Sequence, residues 1–294
     1  MSRLAPVALA RRLLVGALLL GAAQLMQAPV ASATHPLDEV AACPVSAPDA
    51  PATSGPPTAR TRVAAVPPIH VPVYVHVLRS RTQGNVSTHR IRRQIAILNG
   101  AYAGKQSSVA ARSPFVFKLA GIDRTKNARW LRMDEGSVAE GHAKRTLHRG
   151  DQGDLNLYIG MNKSGSLGWG TSPGAVSDSP RMDGVVIRRS SMAGGRGGHY
   201  SAGDAAVHET GHWLGLLHTF AGKCGKRGDL VSDTPAEARP SYTCPVRRNT
   251  CTAPGRDPVH NFMDYSYDSC MNQFTPGQVT RMRQRWSDFR AGGD

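Results

Sequence analysis

The chain has 294 residues, 40% hydrophobic and 19% charged, and its 36 Lys and Arg outnumber 21 Asp and Glu for a net charge of +15. That length makes one large or two small domains with a real core. The basic residues are scattered and carry no nucleic-acid-binding signature, so only charge speaks for a nucleic-acid partner and none is expected; a self-repelling surface, or one drawn to an anionic cell surface, is the reading kept.

The N-terminus carries Arg3, Arg11 and Arg12, the apolar run LLVGALLLGAAQLM and the small-x-small site Ala31-Ser32-Ala33. This pattern predicts a signal peptide over 1–33 and a secreted, extracellular product. No later stretch of about 20 apolar residues could serve as a membrane span, so no stable membrane insertion is expected. Residues 34–62 are rich in Ala, Pro, Ser and Thr with almost no large apolar side chain, and read as a pro-segment or leader. Removing the first 62 residues takes away five basic and three acidic residues and leaves +13, so the basic character belongs to the folded part, residues 63–294.

HVPVYVHVL, from about residue 70, alternates with Val71, Val73, Val75 and Val77 on one face, the period-2 signal of a strand. Ser87 or Thr88 then caps a helix whose stripe is Ile91, Ile95, Leu98 and Tyr102. Short strands are predicted at Phe115–Leu119, Leu155–Ile159, Leu167–Thr171 and Gly184–Ile187. This half reads as a mixed sheet with helical cover. The loop AGGRGGHYSAGD has no P-loop lysine at the right offset, so it is not a phosphate cradle, and Asp204 offers an N-cap to the helix that follows. Beyond residue 222, Gly, Pro, Asp and Cys dominate with little periodicity. The chain closes with a helix announced by Thr275-Pro276-Gly277-Gln278 and striped by Val279, Met282, Trp286 and Phe289.

The central feature is HETGHWLGLLH at residues 208–218. On a helix, His208 and His212 project from one face a turn apart, so their rings can converge on one ion. Glu209 lies about 100° round, outside the ligand set but within reach of a water held there. Gly215 can take the left-handed conformation that turns the chain and brings back His218 as third ligand. Three imidazoles with one open position describe a catalytic zinc site, in which Glu209 acts as general base for amide hydrolysis. The bland reading is an amphipathic helix with satisfied histidines. Chance occurrence of the extended pattern is on the order of a few in a hundred thousand, which decides for zinc. The other eight histidines are read as structural or solvated.

The motif matches the H-E-x-x-H-x-x-G-x-x-H signature of metzincin metallopeptidases. With Asn261-Phe262-Met263-Asp264-Tyr265-Ser266, His218-Thr219-Phe220, Asp233-Thr234-Pro235 and CMNQFTPGQVTRM, the chain from about residue 70 resembles the pappalysin (cytophagalysin-like) family. The resemblance implies an α+β metzincin fold. Its upper subdomain, about 68–218, holds a twisted mixed sheet with two helices; the lower, about 219–294, is irregular, disulfide-bonded and ends in a helix. It implies a secreted zinc endopeptidase with His208, His212 and His218 on Zn2+, Glu209 as base, Met263 in the turn beneath the metal and Tyr265 stabilising the oxyanion. Met263 as plain core and Tyr265 as a packed aromatic are the alternatives. LGWGTS would be the edge strand that receives a protein or peptide substrate in extended form. A preference for a basic residue after the scissile bond would rest on Asp268, which could equally be a loop aspartate.

Cys224, Cys244, Cys251 and Cys270 allow three pairings by themselves, each closing a loop worth roughly 3 to 4 kcal/mol. The resemblance implies Cys224 with Cys251 and Cys244 with Cys270. Some family members bind Ca2+ near residues 228–235; here Asp229 and Asp233 would serve, against Lys223, Lys226 and Arg227. The odd Cys43 is either a thiolate that holds a precursor inactive at the open zinc position or an incidental thiol. The competing function is a catalytically silent zinc-bearing adhesion or binding module with a basic surface, against which the intact Glu209 and Tyr265 argue.

Overall fold

The computed structural model describes residues 67–176 and 179–292. The expected signal peptide, the leader over 34–62 and Cys43 lie outside them.

Five strands form one sheet in the order β2-β1-β3-β5-β4. β1 (Ile69–Arg79), β2 (Phe115–Lys126), β3 (Leu155–Gly160) and β5 (Val185–Arg188) run parallel, and the short β4 (Gly168–Gly170) lies antiparallel at one edge. The alternation read from β1 holds: Val71, Val73, Val75 and Val77 are all fully buried on one face. There they meet α1 (Thr88–Tyr102), capped by Ser87, and α4 (Asp204–Trp213) in one apolar core.

The opposite face is covered too. Leu78, Tyr158, Val186 and Trp169 pack there with Leu131, Met133 and Ala143, carried by α2 (Ala128–Leu131), the turn after it and α3 (Val138–Leu147). These two helices were not expected. The inner face of α3 presents Glu140 and Lys144, while Val138 is 75% exposed, so no apolar stripe marks it. His76 is buried on this face as a satisfied structural histidine, with Nδ1 2.6 Å from Asp123 Oδ2 and Nε2 2.9 Å from Asn156 Oδ1.

Two local expectations are corrected. Gly203, in the left-handed region at φ 110°, precedes α4, and Asp204 is its first residue with no capping role. In α5 (Pro276–Phe289), where the Thr275–Gln278 capping box forms as expected, the stripe ends differently. Phe289 is only half-buried, whereas Arg290 is 1% exposed. Its guanidinium pairs with Asp183 at 2.7 and 3.2 Å, donates to Trp213 O at 2.7 Å and lies 3.7 Å from the Trp213 ring centroid. Trp213 Nε1 donates to the same Asp183 at 3.0 Å. The last turn of the chain thus clamps the end of α4. A charge is invisible to a search for apolar periodicity, yet its long stem and flat head fill this position well.

Residues 219–275 contain no strand or helix of the kinds above and are held by other means. Disulfides join Cys224 to Cys251 and Cys244 to Cys270. Buried Glu237 accepts from Thr219 Oγ1 at 2.8 Å, Ser241 Oγ at 3.0 Å and Arg248 Nη1 at 2.7 Å, drawing three separated loop segments together.

Removing one partner of a buried ion pair leaves the other charge uncompensated. Arg290→Met is therefore expected to cost about 3 to 5 kcal/mol in urea unfolding, while Arg283→Met on the exposed face of α5 stays within about 0.5 kcal/mol.

Candidate active site

α4 carries His208, Glu209 and His212, all buried. Gly215, at φ 89°, then reverses the chain, and His218 returns with its ring against the others. One ring nitrogen from each of the three histidines lies within 4.8 Å of the other two.

The hydrogen bonds determine which nitrogen faces inward. His208 Nδ1 is 2.6 Å from Phe262 O, and His212 Nδ1 is 2.9 Å from Leu216 O. A carbonyl oxygen only accepts, so each Nδ1 carries the proton and each Nε2 offers a lone pair. Those Nε2 atoms lie 3.1 Å apart, and His218 Nε2 lies 3.0 Å from that of His212. Burial pushes His208 down to about 3, His212 to about 4 and His218 well below the usual histidine range, with the neighbouring rings adding to the effect at His208 and His218. The rings are neutral at pH 7. Neutral nitrogen lone pairs focused on one point repel one another until a cation stands between them, and this all-imidazole donor set fits a divalent transition metal.

Below the triad, the loop 261–266 supports it. Met263 is fully buried, and its sulfur packs against α4 at Gly211, where there is no room for a side chain. The loop is tied to α5 by a reciprocal amide pair, Asn261 Nδ2 to Gln278 Oε1 at 2.8 Å and Gln278 Nε2 to Asn261 Oδ1 at 3.0 Å. Asn261 Oδ1 also accepts from Met263 N at 2.9 Å. The capping glutamine of α5 therefore also sets the turn whose Phe262 carbonyl orients His208. Tyr265 brings its hydroxyl to 3.2 Å from His218 Nε2.

Above the triad lies β4, the edge strand within LGWGTS. Its two glycines permit the approach: a Cβ at position 168 would stand 2.8 Å from Glu209 Cγ, and one at position 170 would collide with the Glu209 carbonyl. From behind, the buried pair Glu140–Lys144, 2.8 Å apart, holds the strand. Trp169 Nε1 donates to Glu140 Oε1 at 2.6 Å and Lys144 Nζ to Thr171 Oγ1 at 3.2 Å. These supporting residues were not anticipated, although the i,i+4 acid–base spacing of Glu140 and Lys144 was there to be seen.

A pocket opens beside the triad, bounded by Ser166–Gly168, Tyr200, Glu209, Tyr265 and Asp268. Asp268 is 7% exposed; its Oδ2 accepts from Ala202 N at 2.7 Å and Gly203 N at 3.2 Å. Its Oδ1 has no hydrogen-bond partner among the described residues. Burial raises Asp268 to about 6 and, with Asp268 as the second cause, raises Asp204 to about 8. Asp229 and Asp233 hydrogen-bond to different segments. Asp233 accepts from Thr275 Oγ1 and Gly277 N at the start of α5, both at 2.7 Å, whereas Asp229 is buried and accepts from Val231 N at 3.1 Å. Lys226, Arg227 and Arg281 share the Asp229 pocket.

Comparison with known proteins follows the same lines. Residues 196–286 match the Peptidase_M43 family, described as Pregnancy-associated plasma protein-A. An extracellular metalloprotease of Pyricularia oryzae is 43% identical over 228 residues, covering 76% of each chain. Extracellular metalloprotease 1 of Coccidioides posadasii is 42% identical over 233 residues, 76% of this chain and 79% of that one. Among solved structures, mature mirolysin of Tannerella forsythia in complex with a cleaved peptide is 30% identical and superimposes with a TM-score of 0.62, covering 74% of this chain and 91% of that one. Mirolysin in complex with compound 9 gives a TM-score of 0.65 at 29% identity, covering 77% and 94%.

Asp204 binds its proton more tightly in the fold than in the unfolded chain, whose carboxylates titrate near 3.9. The stability this contributes is complete below about pH 3.9 and lost as pH rises to about 8, because the unfolded state there binds fewer protons. Asp204→Asn is expected to flatten the decline in unfolding free energy between about pH 4 and 8, read from urea titrations along a pH series.

Proposed function

The chain belongs to the pappalysin family of metallopeptidases, and on that premise we propose that it is an extracellular zinc endopeptidase with His208, His212 and His218 as metal ligands. The observation that carries this reading is the convergence of three neutral imidazole nitrogens within 4.8 Å, beside a buried carboxylate and under a strand edge. When bound, zinc supplies Lewis acidity toward the attacking water and the scissile carbonyl. A calcium ion would find the Asp229 carboxylate among three cationic side chains, so zinc alone is proposed as cofactor.

Around that centre each residue has a task. The substrate adds along the outer side of β4 by main-chain hydrogen bonds, which selects an extended peptide and lays its carbonyl over the histidines. Glu209 takes a proton from water as the carbon–oxygen bond forms, then passes it to the amide nitrogen as the carbon–nitrogen bond breaks. The Tyr265 hydroxyl donates to the former carbonyl oxygen as negative charge gathers on it, an interaction stronger in the transition state than in the substrate. Met263 packs beneath the ligands as an apolar, well-fitted floor. Asp268, whose Oδ1 has no hydrogen-bond partner among the described residues, receives the ammonium or guanidinium of the residue after the scissile bond.

Glu209→Gln is expected to lower kcat by about two to four orders of magnitude while zinc content stays at one ion per chain. Tyr265→Phe should cost about two orders of magnitude in kcat with a small change in KM, and Asp268→Asn should reduce cleavage before Arg or Lys roughly tenfold relative to Leu. Peptide-library digestion with metal analysis of each variant reads all three. Absence of cleavage by the zinc-loaded wild type would remove the peptidase reading in favour of a zinc-bearing binding module, and undiminished cleavage by Glu209→Gln would remove Glu209 as the base.

A further inference from the structure

Four arginines, Arg90, Arg188, Arg189 and Arg196, border a second hollow, at the end of the edge strand away from His212. It is built on a fixed frame. Arg90, near the start of α1, donates to the carbonyls of Arg189 at 2.6 Å, Ala193 at 2.9 Å and Met192 at 3.1 Å, and so holds the loop that follows β5. Arg188 Nη1 donates to Gly165 O at 3.0 Å and Ser191 Oγ to Leu167 O at 3.2 Å, fastening that loop to the segment leading into β4.

Among the described residues, none of the four arginines lies within ion-pair distance of a carboxylate. Arg90 is held below the usual arginine range by burial and by the like charge of Arg189. Arg196 is exposed, and Arg188 and Arg189 are half-buried, so their heads remain open to a ligand.

The hollow lies on the path of an extended peptide. Gly170 packs at His212, Ser166 to Gly168 form a wall of the Asp268 pocket, and Gly165 touches Arg188. A substrate with one residue in the Asp268 pocket therefore runs on past Leu167 toward Gly165. At about 3.3 Å per residue, two to four residues carry it to the arginines.

We propose that this hollow is a carboxylate-binding subsite that selects substrates with Asp or Glu two to four residues after the scissile bond. The inference rests on the peptidase reading and extends it: a basic residue enters the acidic pocket, and an acidic one follows into the basic hollow. Guanidinium forks match a carboxylate in shape as well as charge.

The test uses peptides identical except for Glu or Gln at the second, third or fourth position after the cut. kcat/KM is measured with zinc-loaded protein, and binding of the uncleaved peptides to Glu209→Ala is followed by fluorescence anisotropy. The expected result is a preference for Glu of roughly three- to tenfold at one of these positions in both readouts, shrinking at high salt. The Glu-to-Gln ratio should fall to about one in Arg189→Gln/Arg196→Gln and persist in Arg283→Gln. Equal handling of Glu and Gln at all three positions, or a preference that survives the double variant, overturns the subsite while peptide cleavage stands. If no peptide is cleaved, the peptidase reading fails, and binding to Glu209→Ala still decides the subsite by the same ratio.

Discussion

Three buried, neutral imidazoles that turn their lone pairs to one point impose the constraint that the rest of this structure meets. Such a cluster is unfavourable by itself, since each ring loses hydration and faces its neighbours' lone pairs. The protein fixes it by holding the far side of two rings: Phe262 O and Leu216 O accept from Nδ1 of His208 and His212. Each carbonyl needs its own anchor. Leu216 follows the Gly215 reversal, and the 261–266 turn is bolted to α5 through Asn261 and Gln278. The capping box of α5 thus helps to orient His208, about 70 residues earlier in the chain.

The cleft has a complementary demand on its other wall. The edge strand lies close against α4 beside the histidines, and only glycine allows it at positions 168 and 170. Glycine adds no packing of its own, so the strand is held by Trp169 and Thr171 through the Glu140–Lys144 pair. A buried ion pair contributes little net stability compared with apolar packing. Here it is placed where orientation matters, with Glu140 and Lys144 each hydrogen-bonded to the strand.

Charge organises the cleft beyond the histidine triad. Asp268 and Asp204 sit together at the start of α4, and burial keeps protons on them above the ordinary carboxylate range. The arginine-bordered hollow stands further along the same edge. An excess of +13 beyond the leader read at first as a general surface property. The fold gathers four of those charges, Arg90, Arg188, Arg189 and Arg196, around one hollow, which converts a bulk quantity into a local one.

Much of this was legible in the chain. The spacing of His208, His212 and His218 around Gly215, the alternation of Val71 to Val77 and the Thr275–Gln278 box each depend on contacts a few residues apart, so their periodicity or turn chemistry carries the information. What escaped reading had its partners far away. Arg290 closes on Asp183 across 107 residues, Gln278 on Asn261 across 17, and Glu140 on Trp169 across 29. Asp204 looked like a cap by position, yet Gly203 turns the chain and leaves the carboxylate buried beside Asp268. The sequence by itself determined the three-histidine motif, the inner faces of β1 and α1, and the family to which they point. Only the tertiary structure decided which buried charges meet, which edge of the sheet faces the histidines and where the arginines collect, because those outcomes depend on burial and on distances between residues that no local pattern encodes.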